Sequence, residues 1–186
     1  YLSPVPYTPI KLNRYTVNFP GTQGGVNFHG GAYDPQLGLF VTNVNNLAQP
    51  MRIVKNANGS YQNSGPLAGT RRFWDAEKRL PCGPTPWGEM VAVDVNTGKI
   101  AWHSTLGVTD DFPEGMKDTG RPGLGGAITT ASGLTFVAAT DDARFRAFET
   151  KTGKKVWEAM LPASGYATPV TYEVKGTDTL ISIAND

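Results

Sequence analysis

The residues of this chain that could do chemistry are few, and most lead away from catalysis. Asp110-Asp111 and Asp141-Asp142 are acidic pairs of the kind that bind a divalent cation or share acid–base work. Both fall in loops or at strand ends, the second inside "TDDARF", where solvated turn carboxylates are expected. His29 and His103 are the two histidines, too isolated to give zinc-ligand spacing. Cys82 is alone, so no disulfide framework exists within the chain, and a small, semi-buried thiol is expected. No Ser–His–Asp set emerges. The glycine-rich "GRPGLGG" (120–126) leads into a strand, so it lacks the helix N-terminus that would cradle a phosphate. Thr97-Gly98-Lys99 lacks the upstream glycine of a P-loop. Asn58-Gly59-Ser60 fits a glycosylation sequon, but Asn-Gly is also a common turn.

The elements that must position any site are short strands. "AVDVNTGKIAW" (92–102) recurs as "AFETKTGKKVW" (147–157), pairing Ala92 with Ala147, Asp94 with Glu149, Gly98 with Gly153 and Trp102 with Trp157. Alternation places Val91, Val93 and Val95 on one strand face. Asn96-Thr97-Gly98 then supplies a turn, because glycine accepts positive φ and the flanking Asp and Thr side chains can bond backbone N–H groups. Trp102 returns on the next strand as a flat apolar surface for a neighbouring element. A second kind of hairpin precedes or follows these, at 24–43, 125–140 and 165–184, with turns at Asp34–Gly38, Ala131–Gly133 and Lys175–Asp178.

Two hairpins make a four-stranded sheet, and such sheets repeated along a chain are the signature of a β-propeller. The fold expected is all-β: a partial propeller of about two and a half four-stranded blades. One blade spans about 24–106, with a long loop insertion at 47–87 and one helical turn at Trp74–Lys78. The next spans about 125–161, and a half blade covers 165–186. The whole of 1–186 is read as one portion of a larger propeller domain, whose remaining blades are its first partner. A net charge of +1 with scattered Lys and Arg gives no basic stripe, which argues against nucleic acid. No apolar run approaches the roughly 18 residues of a membrane span. "YLSPVPYTPIKLNRY" is no signal peptide, lacks Met and reads as opening in mid-sequence.

With these residues in view, the chain resembles the quinoprotein dehydrogenases, eight-bladed propellers that carry pyrroloquinoline quinone (PQQ). A-x-D-x-x-T-G-x-x-x-W is similar to their tryptophan-docking motif. "PCGPTPWGEMVAVDVNTGKIAW" is similar to their Pro-Trp-Gly segment running into that motif. The stretches 120–157 and 163–174 are similar to the last blades of the membrane-associated glucose, quinate and shikimate branch. The resemblance runs from about Gly21 to Asp186 and lies towards the C-terminal part of the family sequence.

The resemblance implies a dehydrogenase that oxidises a hydroxyl of an alcohol, sugar or polyol and passes electrons to a quinone or cytochrome. It implies PQQ with Ca²⁺, and a periplasmic location, with membrane association through parts outside this chain. Asn27 then contacts the cofactor near its quinone oxygens, followed by Phe28 where the family has Trp. Phe28 keeps an aromatic face and loses the indole donor. Trp87 lines the cofactor pocket, and Gly88 permits close backbone approach. The metal ligands and the catalytic aspartate belong to earlier blades, so no catalytic residue and no metal ligand is assigned here, and the isolated chain is expected to be inactive. His29 is expected to be a surface or half-buried histidine, with a pocket-facing role as the alternative because Asn27 lies two residues away. The competing functions are a non-catalytic propeller scaffold of the outer-membrane assembly type and a degenerate quinoprotein that has lost its cofactor.

Overall fold

The computed structural model describes residues 7–64, 75, 77, 80–174 and 176–181. The helical turn expected at Trp74–Lys78 lies outside what can be described, because only Asp75 and Glu77 of it are included. All regular structure among the described residues is β, in antiparallel sheets. The chain divides into two compact units, one of residues 1–25 and 46–84, the other of 26–45 and 85–186.

The larger unit holds two four-stranded sheets and a hairpin. The first sheet has the order β2 (Gly25–Asp34), β3 (Leu39–Asn45), β6 (Gly88–Asp94), β7 (Lys99–Thr105). The second has the order β8 (Ala127–Thr129), β9 (Leu134–Val137), β10 (Arg144–Glu149), β11 (Lys155–Met160). The hairpin is β12 (Val170–Val174) with β13 (Thr177–Ile181).

The repeated segments fold alike, because their turn chemistry is local. Asp94 Oδ1 accepts the N–H groups of Asn96 and Thr97 at 2.8 and 3.3 Å, and Gly98 N–H closes the turn on Asp94 O. In the second copy Gly153 N–H bonds Glu149 O at 2.9 Å, and the Thr152 hydroxyl bonds the Glu149 carboxylate. Ala92 faces Trp102 across its hairpin and Ala147 faces Trp157, and in both copies the register shifts one residue further on. A small residue opposite a large indole relieves crowding within the cross-strand pair.

Leu39, Val41, Met90, Ala92, Leu106, Ala127, Val137, Ala139 and Phe148 form one continuous core that draws on both four-stranded sheets. Fully burying a side chain such as Val41 or Met90 contributes roughly 1.5–3 kcal/mol. The alternation expected in β6 is present, but its fully buried face carries Met90 and Ala92, with Val91 and Val93 only half-buried. Trp102 spans the two sheets. Its Nε1 donates to Thr150 O at 3.0 Å, and its ring lies so close to Gly153 that a Cβ there would sit 2.3 Å from Cε3.

The smaller unit corrects the expectation of a long loop at 47–87. It contains a sheet of order β1 (Thr16–Asn18), β4 (Gln49–Lys55), β5 (Tyr61–Ser64). Gln49 Oε1 accepts Thr22 N–H at 2.9 Å, and the Arg52 guanidinium lies 4.7 Å from the centroid of the Tyr15 ring. The pairing of Thr16 with Met51 joins residues far apart in sequence, which no local pattern announces. Cys82, expected to be semi-buried, is exposed.

Candidate functional site

The site residues read from the sequence sit on two strands of the first sheet. Asn27 and Phe28 lie near the start of β2, and Gly88 opens β6 with Trp87 immediately before it. β3 brings them to the same end. Asn45 pairs with Gly88, and the Thr42 hydroxyl bonds Gly30 O at 2.9 Å, so β2 runs its N-terminal residues towards that end. Two strand spacings separate β2 from β6, about 10 Å.

Each residue has a distinct setting. Asn27 Oδ1 accepts Phe28 N–H at 2.8 Å, which leaves Nδ2 as the donor of the amide. The Phe28 ring is 81% exposed and lies against the His29 imidazole, with ring centroids 3.8 Å apart. His29 is half-buried. Its Nδ1 is shielded from solvent and has no hydrogen-bond partner among the described residues. Trp87 is 5% exposed and its N–H bonds Thr119 O at 2.8 Å. Gly88 is glycine for space, since a Cβ would meet Arg121 O at 2.2 Å and Leu106 O at 2.9 Å.

The segment 119–126 holds this end together, and the sequence did not reveal how. Asn45, buried, donates Nδ2 to Gly123 O at 2.7 Å and accepts Gly123 N–H on Oδ1 at 2.9 Å. Side chains would not fit at Gly125, against Gly165 O and Ala139, or at Gly126, against Thr168 and His29. The glycine-rich run is thus a place of close backbone approach, and β8 follows it directly. Its glycine density was the one available signal.

The acidic pairs split. Asp110 and Asp111 are exposed, and Asp110 pairs with Arg144 at 2.8 Å. Asp142 departs from the solvated turn expected of it. Its side chain is 3% exposed; it bonds Arg146 and the Thr140 hydroxyl and accepts Val108 N–H. Arg146 is 1% exposed and also reaches Glu158 at 2.9 Å. Burial pushes the Asp142 carboxyl up, but Arg146, Thr140 and the Val108 N–H outweigh it and hold the group below the usual carboxylate range. Asp141 bonds Arg121 at 2.7 Å. His103 is exposed and pairs with Glu89 at 3.0 Å. Among the described residues no three His, Cys, Asp or Glu side chains gather as metal ligands.

Packed four-stranded antiparallel sheets joined by short turns, with an indole of one seated on a turn of the next, define the chain as part of a β-propeller. It belongs to the family described as PQQ: glucose/ethanol/alcohol dehydrogenase, β-propeller domain, which matches residues 2–179. It is 31% identical to the glycerol dehydrogenase large subunit of Gluconobacter oxydans, over 91% of this chain and 27% of that protein. It is 34% identical to the quinate/shikimate dehydrogenase (quinone) of Acinetobacter baylyi, over 84% and 22%. The quinoprotein glucose dehydrogenase A of Acinetobacter calcoaceticus is also 34% identical, over 96% and 24%. Among solved structures, the quinohemoprotein alcohol dehydrogenase of Comamonas testosteroni superposes with a TM-score of 0.62 at 25% identity, covering 90% of this chain and 23% of that one. The chain therefore spans about a quarter of the length of the relatives it matches.

Proposed function

We propose that this chain is part of a PQQ-dependent dehydrogenase that oxidises a hydroxyl group of an alcohol, sugar or polyol. The observation that carries the reading is the family match over residues 2–179, joined to the meeting of Asn27, Phe28 and Trp87 at one end of the first sheet. These residues suit a flat, oxygen-rich group: an exposed ring at Phe28 and a side-chain amide at Asn27. The bound cofactor would supply hydride acceptance from the carbinol carbon. Asn27 Nδ2 would donate to a quinone oxygen, Phe28 would cover one cofactor face, and Trp87 with Gly88 would close the apolar wall.

The base that takes the hydroxyl proton and the carboxylates that hold the accompanying ion, proposed as Ca²⁺, are placed elsewhere in the polypeptide. A quinone or cytochrome acceptor and a periplasmic setting belong to the same proposal and rest on the family resemblance. Phe28 in place of Trp favours one second reading, a quinoprotein that has lost its cofactor. Titrating the complete apoprotein with PQQ and Ca²⁺ decides between them. The proposal expects saturable quenching of tryptophan fluorescence and dye reduction with at least one member of an alcohol, sugar and polyol panel. No quenching and no reduction would overturn it.

A further inference from the structure

The turn between β4 and β5 carries a reactive arrangement of its own. Asn58, Gly59 and Ser60 lie exposed at its tip. Asn56 N–H bonds Ser60 O at 2.8 Å and Gly59 N–H bonds Asn56 O at 2.9 Å, which fixes the turn. Asn58 Oδ1 accepts Ser60 N–H at 3.0 Å and the Ser60 hydroxyl at 2.7 Å. The ring closed by the first of these bonds contains both Asn58 Cγ and Gly59 N. Gly59 has φ +84° and open space where a Cβ would stand, so no side chain of its own shields that nitrogen. An amide carbon, the next backbone nitrogen and two donors on the amide oxygen are thus gathered in solvent.

We propose that Asn58 is a self-modification site, at which Gly59 N attacks Asn58 Cγ and Ser60 assists. It stands independently of the PQQ reading. Gly59 N gives its proton to solvent base and forms a bond to Cγ. Negative charge develops on Oδ1, where Ser60 N–H and the Ser60 hydroxyl already donate, as the donors of an oxyanion hole do. Asn56 Nδ2 donates to Ser60 Oγ at 2.9 Å, which leaves the hydroxyl proton for Oδ1. The Cγ–Nδ2 bond then breaks, Nδ2 takes a proton and leaves as ammonia, and a succinimide ring remains. Water opens that ring at either carbonyl. Opening at Cγ gives aspartate, and opening at the backbone carbonyl gives isoaspartate, whose main chain runs through Cβ and Cγ. The sequence is redox-neutral and water is its only co-reactant. Either product places a carboxylate in the turn, and isoaspartate lengthens the main chain close to the Lys55–Tyr61 pair of β4 and β5.

The test is ageing of the complete protein in mildly alkaline buffer, native and urea-unfolded, followed by mass spectrometry of the tryptic fragment 56–71, released by cleavage after Lys55 and Arg71. The native protein is expected to gain the mass of an amide turned acid at Asn58, with aspartate and isoaspartate forms separating by chromatography. Asn56 and Asn63, in the same fragment, should keep their amides. Ser60→Ala is expected to slow the native rate about three- to tenfold, the loss of one hydrogen bond, and to leave the unfolded rate within about twofold. Ser60→Thr restores the hydroxyl and should restore the native rate. Native protein that keeps Asn58 intact while the unfolded chain converts overturns the inference, because the fold then protects the turn. Equal native rates for wild type and Ser60→Ala overturn it as well, and so does conversion of Asn56 or Asn63 as fast as Asn58.

Discussion

Replacing Gly153 with Ala tests the joint between the two four-stranded sheets. Gly153 has φ +71°, a conformation that costs an alanine about 1–2 kcal/mol. The new Cβ would lie 2.3 Å from Trp102 Cε3 and 2.6 Å from Cδ2, so the indole must retreat by about 1 Å to reach ordinary contact. That retreat stretches the bond from Nε1 to Thr150 O beyond hydrogen-bonding range and disturbs the one from Ser104 Oγ to Gly153 O. Overpacking adds about 1–3 kcal/mol and each lost bond about 1 kcal/mol. The expected cost is about 3–6 kcal/mol. In a Trp102→Ala background the clash with the indole disappears, and the φ cost of about 1–2 kcal/mol remains together with the approach to Ser104 Oγ at 2.8 Å. A double-mutant cycle, read by urea unfolding with circular dichroism, should therefore show coupling of about 2–4 kcal/mol. Coupling below about 0.5 kcal/mol would mean that the indole does not sit on the turn, and the account of the joint would fail.

Four further outcomes follow from the same geometry. Asn45→Ala removes both bonds to Gly123 and strands buried groups, which should cost about 2–4 kcal/mol in urea unfolding. Acid should destabilise the protein through Asp142 and Glu158. Burial raises both, but Arg146 with Thr140 for the first, and Lys155 with Arg146 for the second, bring them below the ordinary range. Their stabilisation is complete above the unfolded carboxylate value of about 4 and is lost as pH falls through the lower folded values. Arg146→Met leaves buried Asp142 with Arg144, 3.9 Å away, as its cation, should cost about 3–5 kcal/mol near neutral pH, and should make the decline of stability between about pH 5 and 3 shallower. Gly98 has φ +69° with open space around it in this chain. The repeat predicts that another indole seats there in the complete protein, so that Gly98→Ala will cost more than the 1–2 kcal/mol of its φ alone; a cost within that range would show an open turn.

The parts of this chain that sequence reveals are those whose physics is local. "VDVNTGK" and "ETKTGK" each contain an acid, a Thr and a Gly at turn spacing, and the bonds that make the turn form within it. Trp102 and Trp157 stand at fixed distances from those turns, so the two hairpins could be anticipated, while the pairing of each Trp with an Ala across its hairpin emerges from the fold. Partners brought in from afar could not. "TDDARFR" displays its charges plainly, yet alternation would send Arg146 to solvent as readily as to the core. It is buried because Asp142, across the turn at Ala143, and Glu158, on the next strand, meet it there. The strand β4 pairs with β1 only once the chain has travelled through β2 and β3, and the polar run 55–65 has no alternation to mark β5.

The candidate site shows the same division in a more useful form. Family resemblance supplied Asn27, Phe28, Trp87 and Gly88, each from a residue type at a recognisable place. It could not supply what those residues lean on. Gly88 is confined by Arg121 O and Leu106 O, and Asn45 ties β3 to Gly123; both contacts reach into the glycine-rich segment that sequence patterning could only exclude as a phosphate loop. A close backbone approach needs the absence of a side chain, and absence is a weak signal in a sequence already rich in glycine. His29 is the sharpest instance. From sequence it is a surface or half-buried histidine with a pocket-facing alternative, whereas the fold sets its ring against Phe28, brings its backbone and Cβ up to Gly126 and shields its Nδ1 from solvent.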